Sequence, residues 1–357
     1  MMEKERLKSI DYLKGIAIML VVLGHTIQMM KGSDAAYHDR LFNYIYSFHM
    51  PVFMFVSGYV SYKACVSMND IKKRAYQLLL PFFFFPLASS LCFKGQFNTS
   101  TYYHLIERPD SGLWFFYVLF IISTLFTVCQ FGHQLLSGGR NNDVIDKFNP
   151  QLITKLLLIV GLFMFALFSV FALWLRKDSS NDYGTALLAR HSIFYMSDLI
   201  TKIYSDKIIV FLKRNWLWLI LLWLIMATFW ELEHKPTFIQ TPNLAVEMGY
   251  YYLTAFAGIL MMMAVCIRFV KQEGSGNVVV MMASIGKMTL GIYAIHLSFL
   301  LRLVYEGVKH VGWDYKISMP LVFVVTTIGS TILTKIIERG NIASQLLLGK
   351  VNFNCKK

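Results

Sequence analysis

Three histidines of this chain, His25, His49 and His296, lie within long apolar runs of its 357 residues. Imidazole has an ordinary pKa of about 6.5 and is the side chain that most often serves as a general base near neutral pH. A polar side chain inside a membrane costs free energy unless it is partnered, so such a histidine marks a candidate functional site. The alternative is an interhelical hydrogen bond, which polar residues also form in membranes. The residues alone leave both interpretations open.

The apolar runs that carry these histidines are long enough to cross a bilayer. Hydrophobic residues make up 56% of the chain and charged residues 15%, against about 45–50% and about 25% in soluble domains. A transmembrane helix needs about 20 mostly apolar residues, and such runs lie at 15–30, 42–62, 76–93, 113–131, 153–175, 187–204, 212–231, 248–270, 280–305 and 317–337. We therefore predict an all-α, polytopic integral membrane protein of about ten transmembrane helices, folded as a single domain over 1–357.

The positive charges predict which side of the membrane each loop faces. Lys and Arg are enriched in cytoplasmic loops, and with the N-terminus inside they favour the inner side by about two to one, loop after loop. We therefore expect both termini in the cytoplasm, a multi-pass protein of the inner (cytoplasmic) membrane, and a first run retained as a signal anchor. These loops account for the net charge of +13, so membrane lipids are expected partners and nucleic acid is not.

This topology places the three histidines in one layer of the membrane. His25 follows Lys14 by eleven residues, a rise of about 16 Å along a helix, which takes it near or just past the middle of the bilayer. His49 lies about seven residues from the outer end of the second run, and His296 about two-thirds of the way outward along the ninth. If the spans pack side by side, the imidazoles share the middle-to-outer layer.

The cysteines indicate neither a metal site nor a disulfide framework. The chain has five cysteines, without a CxxC pair or a ligand spacing: Cys65, Cys92, Cys129, Cys266 and Cys355. Four of the five lie within or at the edges of apolar runs. Buried thiols are the expected state of such residues. We predict no bound metal.

Five sequence strings occur together in an order that resembles the membrane-bound acyltransferase-3 family. Residues 6–18 read RLKSIDYLKGIAI and residues 21–25 read VVLGH, similar to the opening of that family. Residues 48–59 read FHMPVFMFVSGY, residues 113–117 read LWFFY, and residues 286–296 read GKMTLGIYAIH. The resemblance covers nearly the whole chain, and the Phe-His-Met-Pro form is most similar to the fucose 4-O-acetylase-like sub-group.

The resemblance implies an O-acyltransferase. Such an enzyme moves an acetyl or other short acyl group from a cytoplasmic acyl-CoA, here acetyl-CoA, to a hydroxyl of a cell-envelope saccharide or lipid-linked saccharide. His25 matches the family's essential histidine and would act either as the base for the acceptor hydroxyl or as a transiently acylated nucleophile. Lys14 stands where the family has an arginine. Lysine keeps the charge but lacks the planar, bidentate guanidinium. Lys14 would contact the phosphates of coenzyme A, and Asp11, one turn earlier, would pair with it. The alternative for Asp11 and Lys14 is a plain interfacial ion pair.

We predict that a further set of residues contacts the substrates: His49, Ser57, Trp114, Tyr117 and His296. Ser57, beside Gly58, could instead let two helices approach closely, as small residues do in membranes. Trp114 and Tyr117 lie at a helix end, where aromatic residues form interfacial belts. Residues 72–77 read KKRAYQ and lack the spacing of the family's Arg-x-x-Arg pair, so that role is not assigned.

Two other classes of protein compete with the enzyme. In a transporter or flippase of lipid-linked sugars, the intramembrane histidines together with Arg190 and Asp198 would form a substrate or proton path. Transporters of the common folds usually contain internal repeats with broken spans in matching positions, and no repeat is evident in this sequence. A non-enzymatic scaffold would have no need for polar residues that converge in one layer.

Overall fold

The computed structural model describes residues 2–61, 66–95, 105, 107, 112–136, 150–178, 183–203, 205–232, 243–270 and 276–350. Every regular element among these residues is helical. The elements are α1 (Met2–Lys31), α2 (Ser33–Tyr37), α3 (Arg40–Tyr46), α4 (His49–Ser61), α5 (Met68–Lys94), α6 (Trp114–Leu136), α7 (Pro150–Asp178), α8 (Thr185–Ile203), α9 (Ser205–Thr228), α10 (Leu244–Val270), α11 (Asn277–Lys287), α12 (Thr289–Ile295), a π-helical turn (His296–Leu300), α13 (Leu301–Lys309), α14 (Tyr315–Arg339) and α15 (Asn341–Leu348).

Seven stretches of the described residues have the length and hydropathy of membrane spans. They are Ser9–Lys31, Met68–Phe93, Trp114–Gly132, Asp206–Thr228, Ala245–Val270, Thr289–Lys309 and Tyr315–Arg339. Each lies on one of the ten predicted runs. The fifth predicted run lies in α7, where the stretch Ile159–Leu175 is also apolar. The sixth lies in α8, which carries Arg190, His191 and Asp198. The chain is therefore an all-helical, multi-pass membrane protein.

The second predicted run, 42–62, is two helices instead of one. The chain turns at Ser47 and Phe48 between α3 and α4. The physical reason is Pro51, which has no backbone N–H and whose ring would clash with the carbonyl of Ser47 in a continuous helix. Because α4 begins at His49, the proline falls in its first turn, where a missing N–H costs little. The break places His49 at the start of a helix.

The chain divides into two compact units. The first comprises residues 1–53 and 205–335 and the second residues 54–204 and 336–357. In the first unit α1 packs against α10, α11, α12 and α13, and α9 packs against α10. In the second unit α5 packs against α6, α7 packs against α8, and α15 packs against α5.

Two glycines let α1 and α11 touch through their backbones. A Cβ on Gly286 would overlap the carbonyl oxygen of Asp11, and a Cβ on Gly15 would overlap that of Met282. Small residues allow such close approach between membrane helices, where packing and not a hydrophobic driving force holds the helices together. This crossing fixes α11, and with it the start of α12, against α1.

Candidate active site

His25 and His296 form a direct pair inside the first unit. Nδ1 of His25 lies 2.9 Å from Nε2 of His296, within hydrogen-bond distance. The two rings lie edge to edge, with centroids 5.2 Å apart and planes inclined by only 16°. His296 is completely buried, whereas His25 remains partly exposed. The pair joins residues 271 positions apart, so the contact depends on how α1 and the π-helical turn pack.

The backbone around His296 departs from regular helix on both sides. The helix breaks at Met288, whose φ of −104° and ψ of 10° separate α11 from α12. The π-helical turn then begins at His296, and the N–H of Leu301 donates to its carbonyl. Such π turns are rare and occur often at functional sites. Together the break and the turn set the rotation at which His296 faces α1.

His49 lies close to this pair. It is buried, and its Nδ1 lies 2.8 Å from the carbonyl oxygen of Ile45. Tyr46 meets the His49 ring edge-on at 4.6 Å between centroids, and the same tyrosine ring packs against Gly24 of α1. Tyr46 therefore connects His49 to the residue next to His25 in α1. The structure therefore brings the three predicted histidines into one region of the first unit.

Asp11 and Lys14 form an ion pair near the start of α1. Nζ of Lys14 lies 2.8 Å from the Asp11 carboxylate, and both side chains are about one-fifth exposed, at 22% and 20%. The pair sits beside the glycine crossing, since Gly286 packs on the Asp11 backbone. α1 is one continuous helix from Lys14 to His25, so their separation along the axis is about 16 Å at 1.5 Å per residue.

The other predicted substrate contacts belong to the second unit. Ser57 is half-buried in α4, next to Gly58, where a Cβ would overlap the carbonyl oxygen of Tyr195. Trp114 begins α6 and stacks on His191 of α8 at 4.9 Å between centroids. Tyr117 stacks on Phe82 at 5.6 Å, and its hydroxyl lies 3.4 Å from the carbonyl oxygen of Tyr183.

Arg74 binds three helices of the second unit together, which sequence reasoning did not foresee. Its Nη1 donates to the carbonyl oxygen of Ser123 at 2.7 Å and to the hydroxyl of Thr127 at 2.8 Å. Its Nη2 donates to the carbonyl oxygen of Ser61 at 3.3 Å. These bonds connect α5 to α6 and to the end of α4. The basic string at 72–77 was the available signal, but only the packing shows which of its cations turns inward.

At the end of the first span, a charged pair connects Lys31 to Asp39, which lies outside the spans. Lys31 donates to the carboxylate of Asp39, which also accepts the backbone N–H of Phe42 at 2.9 Å and so caps α3. Burial of Asp39 opposes its ionisation, but the hydrogen bonds from Lys31 and Phe42 outweigh that cost and hold the pKa of the carboxyl below its usual range. No group of three or more potential metal ligands occurs in the described part of the chain.

Comparison with known proteins gives a family for the whole chain and relatives for parts of it. The acyltransferase-3 family, described as an acyltransferase domain, matches residues 7–339. Nodulation protein NolL of Mesorhizobium japonicum is 37% identical over 130 residues, 34% of this chain and 35% of that protein. NolL of Sinorhizobium fredii is 42% identical over 82 residues, 21% and 22% of the two chains. The matched region thus spans about a third or less of either curated relative. No solved structure shows a significant match.

The family match begins before Asp11 and ends at the last residue of α14. It therefore includes the paired histidines, His49, the ion pair at Lys14 and the described helices that position them. A match of this extent, on a chain whose apolar helices span the membrane several times, assigns the protein: it belongs to the acyltransferase-3 family.

Proposed function

We propose that this chain is a multi-pass O-acyltransferase of the cytoplasmic membrane. It transfers an acetyl or other short acyl group from acyl-CoA, with acetyl-CoA as donor, to a hydroxyl of a cell-envelope saccharide or lipid-linked saccharide. The observation that carries this proposal is the pair formed by partly exposed His25 and buried His296 within membrane spans. Burial of an imidazole inside a membrane costs free energy, so a histidine retained there marks a candidate functional site. Acyl transfer to a hydroxyl needs a base of this kind.

His25 acts as the general base. It takes the proton of the acceptor hydroxyl while the hydroxyl oxygen forms a bond to the thioester carbonyl carbon. The carbon–sulfur bond then breaks, coenzyme A leaves as its thiolate, and the imidazolium returns the proton to that sulfur. The carbonyl oxygen becomes negative on the way and requires hydrogen-bond donors. His49 lies nearby but does not supply such a donor, because its Nδ1–H donates to the carbonyl oxygen of Ile45 and leaves Nε2 as an acceptor. We assign His49 to the substrate as an acceptor for one of its hydroxyl groups.

Lys14 holds the phosphates of the donor at the cytoplasmic edge of the membrane. In coenzyme A the pantetheine arm separates the phosphates from the thioester, so the two ends need separate binding places. The rigid helix between Lys14 and His25 provides them about 16 Å apart. The Asp11 carboxylate at 2.8 Å fixes the lysine side chain. This arrangement requires the N-terminus in the cytoplasm, and we propose the same side for the C-terminus from the loop charges.

The acceptor saccharide requires aromatic and polar contacts, and we assign these to Ser57, Trp114 and Tyr117. Aromatic rings carry large apolar faces with a polar edge or tip, which suit the mixed surface of a sugar. One face of Trp114 is covered by His191 and one face of Tyr117 by Phe82. The stacked partners hold both rings in fixed orientations, which reduces the entropy lost when a saccharide binds.

A flippase for lipid-linked sugars is the competing function. It rests on Arg190 and Asp198, polar residues of α8 that lie in the sixth apolar run. Both interact with other residues of the chain, as expected of groups that hold helices together. In a flippase His25 and His296 would belong to a proton path, but Nδ1 of His296 is bound to the carbonyl oxygen of Ile292, which cannot pass a proton on. The acyltransferase hypothesis therefore accounts for more of the observed contacts than the flippase hypothesis does.

The decisive experiment combines chemistry in cells and in vitro. Envelope glycans from cells with and without the protein are compared by mass spectrometry, and the purified protein in lipid nanodiscs is supplied with acetyl-CoA and extracted saccharide. We expect an acyl ester on the glycans of expressing cells and saccharide-dependent release of the coenzyme A thiol. Unchanged glycans together with no thiol release would exclude the enzyme. Transfer of a lipid-linked sugar between leaflets without any acyl donor would instead favour the flippase.

Membrane topology is tested separately by cysteine labelling. His38→Cys lies in the loop after α1 and Lys350→Cys lies just beyond α15. With a maleimide that does not cross membranes, the first variant should label in intact cells and the second only after permeabilisation. The wild-type chain with its five native cysteines gives the background. The same labelling behaviour for both positions would contradict the proposed topology.

A further inference from the structure

The hydrogen bonds of the histidine pair run in one direction only, which fixes where the protons lie. Nδ1 of His296 lies 2.8 Å from the carbonyl oxygen of Ile292. A carbonyl can only accept, so Nδ1 of His296 carries the hydrogen. A neutral imidazole has a single N–H, and a charged one would be costly for a side chain that is 0% exposed within a span. Nε2 of His296 is therefore a bare acceptor.

The same reasoning passes along the pair to His25. Its Nδ1 lies 2.9 Å from that acceptor, so Nδ1 of His25 must carry the hydrogen and donate it. The remaining nitrogen of the ring, Nε2, then has a free lone pair. It has no hydrogen-bond partner among the described residues, and His25 is the partly exposed member of the pair.

The acceptor at the end of this chain is held by the backbone. The carbonyl oxygen of Ile292 also accepts the main-chain N–H of His296, so both of its lone pairs are occupied. A main-chain carbonyl cannot take up a proton at any pH that the protein tolerates. The positive charge that forms on His25 during the reaction therefore stays on His25, since His296 has nowhere to pass a second proton.

We propose that His296 is a positioning residue that fixes His25 in the tautomer with a basic Nε2. This inference rests on the proposed acyl transfer, because the tautomer matters only if His25 acts as a base. In the hydrolases that use a serine, a histidine and an aspartate, the carboxylate fixes the tautomer of the histidine. Here a second, neutral imidazole anchored to the Ile292 carbonyl does so, and the substrate hydroxyl gives its proton to Nε2 of His25.

The role of His296 is tested with two substitutions that differ in one hydrogen-bond acceptor. In His296→Gln the side-chain carbonyl can still accept from Nδ1 of His25, while in His296→Leu no acceptor remains. We expect His296→Leu to lower kcat about 100-fold or more, as loss of a tautomer-fixing partner does. We expect His296→Gln to stay within about tenfold of the wild type, and both to leave the KM for acetyl-CoA unchanged.

A control and a double variant separate positioning from a purely structural role. Thr26→Val removes a side-chain hydrogen bond to the carbonyl of Val22 at 2.8 Å, beside His25 on the same helix. It should change kcat by less than about threefold. In a His25→Gln background, His296→Leu should cause little further loss of kcat, because residues that act as one unit are not additive.

Each remaining result contradicts the proposal in a recognisable way. If His296→Gln is as inactive as His296→Leu while both remain folded, His296 itself handles the substrate proton. If His296→Leu lowers the melting temperature but not kcat per folded molecule, the pair is structural. If the wild-type protein releases no coenzyme A with any saccharide, acyl transfer itself fails, and that outcome is distinct from both.

Discussion

The histidine pair of the first unit and the Arg74 cluster of the second both bury polar groups within spans. They differ in whether every polar atom has a hydrogen-bond partner. Arg74 donates to three acceptors on α4 and α6, and each of these is part of the protein. In the histidine pair, three of the four ring nitrogens are engaged with each other or with Ile292. The fourth, Nε2 of His25, has no partner among the described residues.

This difference shows why burial alone does not identify an active site in a membrane protein. A polar group in hydrocarbon must be satisfied, and helix packing satisfies most of them. Arg74 fits that description, because its guanidinium group joins the middle of α6 to the last residue of α4. A reactive group must keep one atom unsatisfied and reachable. By this criterion His25 is a site residue and Arg74 is a structural one.

The largest expected effect follows removal of the base. His25→Ala and His25→Gln should each lower kcat by about 10²–10⁴-fold, the usual loss when a general base is removed. Glutamine retains hydrogen bonding but cannot accept a proton near neutral pH, so it should be as inactive as alanine. Turnover is measured in nanodiscs by release of the coenzyme A thiol.

Two controls accompany the His25 variants. Both should accumulate in the membrane and bind coenzyme A like the wild type, because an interhelical hydrogen bond contributes less than about 2 kcal/mol. Substantial activity of His25→Gln would make His25 structural and remove the distinction between the two regions. His49 would then be the next residue to test as the base.

The opposite result is expected at Arg74. Arg74→Met leaves the carbonyls of Ser61 and Ser123 without their charged donor, and hydrogen bonds to charged groups contribute about 1.5–3 kcal/mol each. We expect the free energy of unfolding to fall by about 3 kcal/mol, with kcat per folded molecule changed by less than about threefold. Thermal unfolding in detergent measures the first quantity and single-time-point assays normalised to folded protein the second. A lower kcat at unchanged stability would place Arg74 in the site.

The sequence was sufficient to predict the helices, because each needs only a continuous apolar run. The seven stretches of spanning length and hydropathy all fall on predicted runs. The break at Ser47 and Phe48 was not predicted, although Pro51 provides a local signal for it. The total of ten spans and the sidedness of the loops remain predictions.

The sequence predicted which histidines belong to the site, but not the hydrogen bonds between them. Depth along the helices indicated that His25, His49 and His296 lie in one layer. Their hydrogen bonds could not be predicted, since hydropathy does not encode the π-helical turn that rotates His296 toward α1. The contact of Gly15 and Gly286 between α1 and α11 was also missed. Sequence alone does not show whether a glycine in a span lies at a helix–helix contact or faces lipid.

An effect of intermediate size on stability and kcat is expected at the crossing of α1 and α11, next to the ion pair of Asp11 and Lys14. Gly286→Ala places a methyl group against the carbonyl of Asp11 and forces α11 away from α1. Overpacking of this kind costs about 1–3 kcal/mol, so the free energy of unfolding should fall by about 2 kcal/mol. Because the crossing sets the start of α12, kcat should fall as well.

The matched variant is Gly58→Ala in the second unit, where a methyl group would meet the carbonyl of Tyr195. It should lower stability by a similar amount but leave the pairing of His25 with His296 intact, so its effect on kcat should be smaller. Equal losses of kcat in Gly286→Ala and Gly58→Ala would contradict this expectation. They would show that the glycine crossing of α1 and α11 has no special effect on the histidine pair.

A smaller effect is expected at Lys14. Lys14→Ala removes one charged contact to the donor phosphates, and one such contact contributes about 1.5 kcal/mol, or about tenfold in affinity. The KM for acetyl-CoA should therefore rise about tenfold while kcat changes little, and Lys14→Arg should retain or improve activity. Asp11→Asn breaks the ion pair of 2.8 Å but keeps the lysine. If neither Lys14→Ala nor Asp11→Asn alters the KM, the pair is only interfacial.

The smallest effect is expected at Asp39, which caps α3 between α2 and α3, and it depends on pH. The hydrogen bonds from Lys31 and Phe42 hold the pKa of Asp39 below its usual value despite the opposing effect of burial. A lowered pKa in the folded state means that the ionised carboxylate stabilises the fold above the ordinary pKa of about 3.9. That contribution is lost as the pH falls through the folded value.

Asp39→Asn keeps an oxygen that can cap α3 but removes the charge that pairs with Lys31. We expect it to lower the free energy of unfolding by less than about 1 kcal/mol at pH 7, as for other partly exposed ion pairs. The difference from wild type should shrink below about pH 4, and kcat should be unchanged at every pH. Asp39→Ala, which also loses the cap, should cost about 1 kcal/mol more. A pH-independent difference between Asp39→Asn and wild type would show that the cap, and not the charge, is what Asp39 contributes.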